Sequence, residues 1–139
     1  GESVVQARNA PDELVISADT VVVRKDKILE KPRDDDHARD MLAKLSGKTH
    51  KVITGVALFH KGRSCGFHAC TKVTFSKLPA AAIDDYVATG DPLDKAGGYG
   101  IQGRAGCFVE GIDGCYHNVV GLPVNRLARE LQQFLADQW

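Results

Sequence analysis

The sequence predicts an α/β fold in which a mixed sheet with antiparallel hairpins carries flanking helices. Three observations predict it. β-rich runs alternate with helix-period segments, two-residue turn signals join neighbouring runs, and glycine or proline punctuates almost every boundary. Leu14-Val15-Ile16-Ser17-Ala18 and Thr20-Val21-Val22-Val23 form one β run, interrupted only by Asp19. Lys25-Asp26-Lys27 turns it into Ile28-Leu29. Asp34 to Asp36 cap a helix in which Ala38, Met41, Leu42 and Leu45 recur at i, i+3, i+4, i+7, and Gly47 closes it. Residues 52–60 and 63–75 read as a hairpin around Lys61-Gly62. A second helix starts near Pro79, turns Ile83, Tyr86 and Val87 inward and stops at Gly90. A glycine-dense loop follows from Gly97 to Gly106. Cys107-Phe108-Val109 and residues 116–120, flanking Asp113-Gly114, predict another hairpin. Pro123 opens a last helix facing inward through Leu127, Leu131, Phe134 and Leu135.

The 139 residues suit one domain, with enough chain for a core that needs no metal or disulfide staple. Eighteen basic residues balance eighteen acidic ones, which argues against a nucleic-acid polymer as partner. That balance leaves room for a small anionic ligand, which needs only a few local cations. No apolar run has the length of a membrane span, so no membrane role is expected. Cys65, Cys70, Cys107 and Cys115, with His68 and His117 nearby, match no zinc spacing and are expected to be reduced thiols of a cytoplasmic protein.

Three places carry candidate chemistry. Asp19 sits inside a β-branched run, where a buried carboxylate without partners is costly. It is either a strand residue reaching solvent or a turn, or a metal ligand or general base on a rigid strand. Thr20 points to the opposite face of an ideal strand, so both act together only if the strand ends or bulges there. The second place is the run from Asp94 to Gly103, whose glycines allow close backbone approach and expose N–H donors. It is neither a Walker loop nor a dinucleotide fingerprint. Gln102 offers a donor and an acceptor suited to reading a pyrimidine edge. In Glu30-Lys31-Pro32, Lys31 is a compact charge suited to phosphate or a solvated surface lysine. Asp34-Asp35-Asp36 is read as a helix start, and His50 and His117 as packed or hydrogen-bonded side chains.

In their order and spacing these segments resemble the Maf family. The resemblance runs from Ser17-Ala18-Asp19-Thr20-Val21-Val22 through Glu30-Lys31-Pro32, Leu45-Ser46-Gly47, His50 and Thr54-Gly55-Val56. It continues through residues 94–103 to Asn118-Val119-Val120-Gly121-Leu122-Pro123. It implies a single Maf-like domain over residues 1–139, similar in fold to inosine triphosphate pyrophosphatases. The implied activity is hydrolysis between the α- and β-phosphates of a nucleoside triphosphate, dependent on Mg²⁺ or Mn²⁺. Asp19 then serves as general base, metal ligand or both. Lys31 and Lys95 meet phosphates, while Thr20 and Gln102 bear on substrate choice. Gly98-Tyr99-Gly100-Ile101-Gln102-Gly103 resembles the dTTP/UTP branch, with Gly98 where alanine is expected. The implied role is sanitation of nucleotide pools, including modified pyrimidine nucleotides, with a link to cell-division arrest. The alternatives are a non-catalytic nucleotide-binding or septum-formation regulator, and a purine enzyme of similar fold that Gln102 disfavours. The family's Ser-x-Ser-Pro-Arg-Arg segment does not occur in this sequence. An N-terminally truncated domain is therefore expected, with weak activity, self-association and a homodimer as its assembly.

Overall fold

The computed structural model describes residues 13–136 together with the backbone of residues 2–6. Its centre is a six-stranded sheet. The main path runs β1 (Glu2–Gln6), β2 (Val15–Arg24), β4 (Thr49–His60), β5 (Arg63–Phe75) and β6 (Val109–Asp113), with β3 (Lys27–Leu29) paired to β2. The expected α/β class and antiparallel hairpins are present. Each described pairing is antiparallel, so the sheet described here is antiparallel and not mixed.

Turn chemistry sets two of these pairings. Lys25 and Asp26, with φ of 51° and 64°, form the two-residue link between β2 and β3. Lys61 and Gly62, with φ of 51° and 75°, do the same between β4 and β5. Positive φ at both central residues gives the turn whose twist matches that of the flanking strands.

Helix α1 (Asp35–Leu45) begins where the Asp34 carboxylate accepts from the His37 N–H at 2.8 Å. It ends at Ser46, with Gly47 at φ 67° beyond it. Helix α2 (Ala80–Ala88) follows Pro79 and stops before Gly90 at φ 80°. The chain then makes tight 3₁₀ turns at Asp91–Asp94, Ala96–Gly98 and Arg104–Phe108.

One expected hairpin is absent. The segment Tyr116–Val120 is the short helix α3, and the strand after the glycine loop is Val109–Asp113, not residues 107–109. Val119 and Val120 favour a strand by propensity, but the buried Asn118 side chain ties this turn to the sheet. Those tertiary hydrogen bonds override propensity. Helix α4 (Val124–Ala136) buries Leu127 and Phe134 as expected.

Side chains alternate across the sheet, and the helices cover one face. Near α1 and α2 that face packs Val22, Val52, Val73 and Phe75 with Leu42, Leu45, Ile83, Tyr86 and Tyr99. Near α4 it packs Ala18, Val56 and Leu58 with Leu127 and Phe134. Thr20 and Thr54, cross-strand partners on the same face, separate these two apolar clusters. No helix among the described residues is long and apolar enough to cross a membrane.

Candidate active site

The polar break between the clusters is the floor of a cavity of about 340 Å³. Such a volume lies within the range of small-molecule sites. Thr20, Val22 and Val52 rise from the sheet, residues 94–96 and 99–103 form one wall, and residues 119–121 form the other.

The floor is fixed by hydroxyl bonds. Thr20 Oγ1 lies 2.9 Å from Thr54 Oγ1 and 3.3 Å from the Gly121 carbonyl, and Thr54 Oγ1 lies 3.4 Å from the Asn118 carbonyl. One hydroxyl donates to the other, which donates to the carbonyl it faces. Asn118 is fully buried. Its Nδ2, which carries two protons, lies within donating range of the Val52 and Ala69 carbonyls at 3.1 Å each and of Thr71 Oγ1 at 2.9 Å. Two backbone carbonyls at that end require the amide nitrogen there, which fixes the orientation of the side chain. Thr71 in turn accepts from the Cys115 N–H at 3.1 Å. Together these bonds dock the wall bearing Val119–Gly121 onto β4 and β5.

The opposite wall is anchored in the α1/α2 cluster. His50 Nε2 and Tyr99 Oη are 2.6 Å apart, and the two rings meet Phe75 edge-on. Burial lowers the His50 pKa from 6.5 to about 4 and pushes the Tyr99 phenol above its usual range. Both groups are therefore neutral at pH 7. Glycine is required where the loop touches the sheet: at Gly97, with φ 73°, a Cβ would meet the Val22 side chain at 3.0 Å. Gly97 N–H also donates to the Glu30 carbonyl at 3.2 Å.

Thr20, Lys95 and Gln102 thus come together on one cavity. Lys95 Nζ lies 3.9 Å from the Asp94 carboxylate, and Gln102 is solvent-exposed at the wall. Lys31 is exposed and outside the lining, in a segment whose neighbours Glu30 and Pro32 abut Gly97 and Gly98. Asp19 is exposed on the opposite face. The β2–β4 register runs unbroken from Val15↔Phe59 to Val23↔Lys51, so the strand neither ends nor bulges at Asp19. Sequence reasoning missed the polar floor. Thr54 and Asn118 lie within the segments quoted for the family, but nothing local marks them as partners 64 residues apart.

A family model described as Maf-like protein matches residues 2–134. The chain belongs to the Maf family. Among its curated Maf relatives, a "dTTP/UTP pyrophosphatase" of Bacillus cereus (strain B4264) is 52% identical over 131 residues, 94% of this chain and 69% of that protein. Another of that name, from Bacillus cereus (strain G9842), is 51% identical with the same coverage. A third, from Bacillus thuringiensis subsp. konkukian (strain 97-27), is also 51% identical with the same coverage.

Among the described residues no group of three His, Cys, Asp or Glu side chains is placed to hold a metal. A Mg²⁺ or Mn²⁺ ion does not need such a cage. It is commonly held by one or two carboxylates together with substrate phosphates. Asp94 in the cavity wall is a hard oxygen donor of the type such an ion takes, while Asp19, on the opposite face of β2, is not placed to share an ion with it.

Proposed function

We propose that this Maf protein is a nucleoside triphosphate pyrophosphatase that prefers dTTP and UTP, releasing the monophosphate and pyrophosphate. One observation carries the reading: Thr20, Lys95 and Gln102 line a single cavity between two apolar clusters. That set supplies a cation for phosphate and an amide for a base edge, beside backbone that admits a ligand closely. The names of relatives at about 50% identity support the same chemistry.

In the reaction a water oxygen bonds to the α-phosphorus as the bond to the α,β-bridging oxygen breaks, and pyrophosphate leaves with that oxygen. Lys95 balances charge along the phosphates. Gln102 orients the pyrimidine by offering a donor and an acceptor together. Asp19 is proposed as the group that takes the proton from water or holds a divalent ion, a role resting on the family resemblance. That role requires β2 to rearrange at Asp19, whose carboxylate faces away from the cavity. Such an ion, when bound, neutralises phosphate charge and acidifies water. Lys31, in the segment that abuts the glycine loop, is proposed to meet the phosphates from outside the lining. The setting is a cytoplasmic nucleotide pool.

Asp19 lying across the strand from the cavity favours a second reading, nucleotide binding without turnover. Pyrophosphate release from dTTP, UTP, CTP, ATP and GTP, with and without Mg²⁺ or Mn²⁺, separates the two. Metal-dependent release fastest from dTTP and UTP is the expected result. Binding without release from any nucleotide sinks the pyrophosphatase. Light scattering on the same preparation tests the expected homodimer.

A further inference from the structure

Lys95 reaches the cavity with its stem laid against Gly100. Its stem lies across Gly100, where an added Cβ would meet Lys95 Cε and would sit 2.7 Å from Cδ. Real Cβ atoms do not approach carbon so closely, so one of the two must move.

Gly100 has little freedom to do so. Its N–H donates to Tyr86 Oη at 3.3 Å, and its carbonyl accepts from the Gly103 N–H at 3.2 Å. Tyr86 itself is buried in the core cluster under the loop. The Lys95 backbone is pinned as well: its N–H donates to the Pro92 carbonyl at 3.2 Å, and its carbonyl accepts from Gly98 at 3.0 Å. With both backbones held, the mobile part is the lysine stem.

Nor is Gly100 glycine for reasons of φ. It is absent from the positive-φ glycines, a set that includes Gly97 and Gly98. An alanine there meets no backbone penalty of the left-handed kind. Its effect falls on Lys95.

We infer that Gly100 is a positioning residue, its bare Cα providing the track along which the Lys95 ammonium reaches the phosphate chain of the substrate. The inference rests on the proposed function for the identity of that anion. The geometric coupling between residues 95 and 100 stands apart from it.

The test is a double-mutant cycle of Gly100→Ala and Lys95→Ala. Its readouts are thermal melting, binding of inorganic tripolyphosphate, and kcat and KM on dTTP, UTP and CTP. Lys95→Ala should weaken tripolyphosphate binding roughly 10- to 100-fold, the scale of one lost charge-assisted hydrogen bond. Gly100→Ala should weaken it in the same direction by up to that factor, since the displaced stem is flexible, and the double variant should lose no more than Lys95→Ala alone. The loss should be equal across the three nucleotides, since the phosphate and not the base is affected. Any fall in melting temperature from Gly100→Ala should vanish in the Lys95→Ala background, because the clash is with that side chain. This last readout holds even where Gly100→Ala alone folds poorly.

Wild-type tripolyphosphate affinity in Gly100→Ala overturns the inference, as does a double variant whose losses add. A protein that shows the coupling yet releases no pyrophosphate from any nucleotide supports the inference and refutes the proposed function.

Discussion

His50 is a neutral imidazole enclosed by apolar rings, and this makes the protein sensitive to acid at a single residue. Its folded pKa of about 4 lies below the ordinary 6.5, so the unfolded chain binds the proton more readily. This contribution to stability is complete above pH 6.5 and is lost as pH falls towards 4, up to about 3 kcal/mol. His50→Gln keeps a polar group for Tyr99 and removes the titration. Urea unfolding at pH 7 and pH 4.5 should show a smaller acid loss in the variant; equal losses would place the proton elsewhere. Asp19 is the opposite kind of residue, exposed and without a role in the core. Asp19→Asn should leave the melting temperature unchanged and lower kcat by roughly 10²–10⁴ on dTTP, the range for a positioned base. A variant that releases pyrophosphate at the wild-type rate would remove Asp19 from the mechanism. The sequence exposed Asp19 as an anomaly, because a carboxylate in a valine-rich run is conspicuous. It marked His50 as a packed or hydrogen-bonded side chain, as it is, but gave no sign of its partner Tyr99, 49 positions away.

At the scale of elements, the proposed base reading falls on the glycine loop. Gln102 projects from a wall tied down through Tyr99, Gly97 and Gly100, so its amide is presented on a braced backbone. Gln102→Ala should lower turnover of dTTP and UTP while narrowing their advantage over CTP and purine triphosphates. Because Gln102 is exposed, the discrimination lost should be well short of the 10⁴-fold seen where buried partners are stranded. An equal fractional loss on every nucleotide would indicate loop collapse. The elements legible in the sequence were those with strong local signals: α1 through Asp34 and Gly47, α2 through Pro79 and Gly90, and the β4–β5 hairpin through Lys61-Gly62. Helix α3 was not legible. Its two valines argue locally for a strand, and what makes it a helix is Asn118 reaching carbonyls of β4 and β5.

For the whole molecule, the division of one sheet face into two apolar clusters matters most. Val52 and Leu58 belong to different clusters on the same strand, roughly 20 Å apart along β4. Leu42→Val and Leu58→Val should each cost about 1 kcal/mol, and the pair should cost their sum to within about 0.5 kcal/mol. A larger departure in urea unfolding would mean that the polar floor couples the clusters. The α/β class was readable from periodicity, and Thr20, Lys95 and Gln102 were candidates that line this cavity, whereas Asp19 and Lys31 lie outside it and the floor partners Thr54 and Asn118 were missed. Which residues share a face was readable only in part. Alternation along β2 already separates Asp19 from Thr20, but the placement of the loop above the sheet depends on contacts of Gly100 with Tyr86 and of Gly97 with Val22.

The β4–β5 ribbon bears on the order of events during folding. Its strands, 12 and 13 residues long, are joined by the shortest common connection, so their pairing can zip outward from the turn with little loop to close. Hairpins of this kind form in microseconds, well before the distant segments 13–24 and 109–113 can find their places beside it. The ribbon is therefore expected to lie in the folding nucleus. Gly62→Ala, at φ 75°, should cost about 1 kcal/mol. Stopped-flow measurements should find that cost almost wholly in slower folding, with the unfolding rate nearly unchanged.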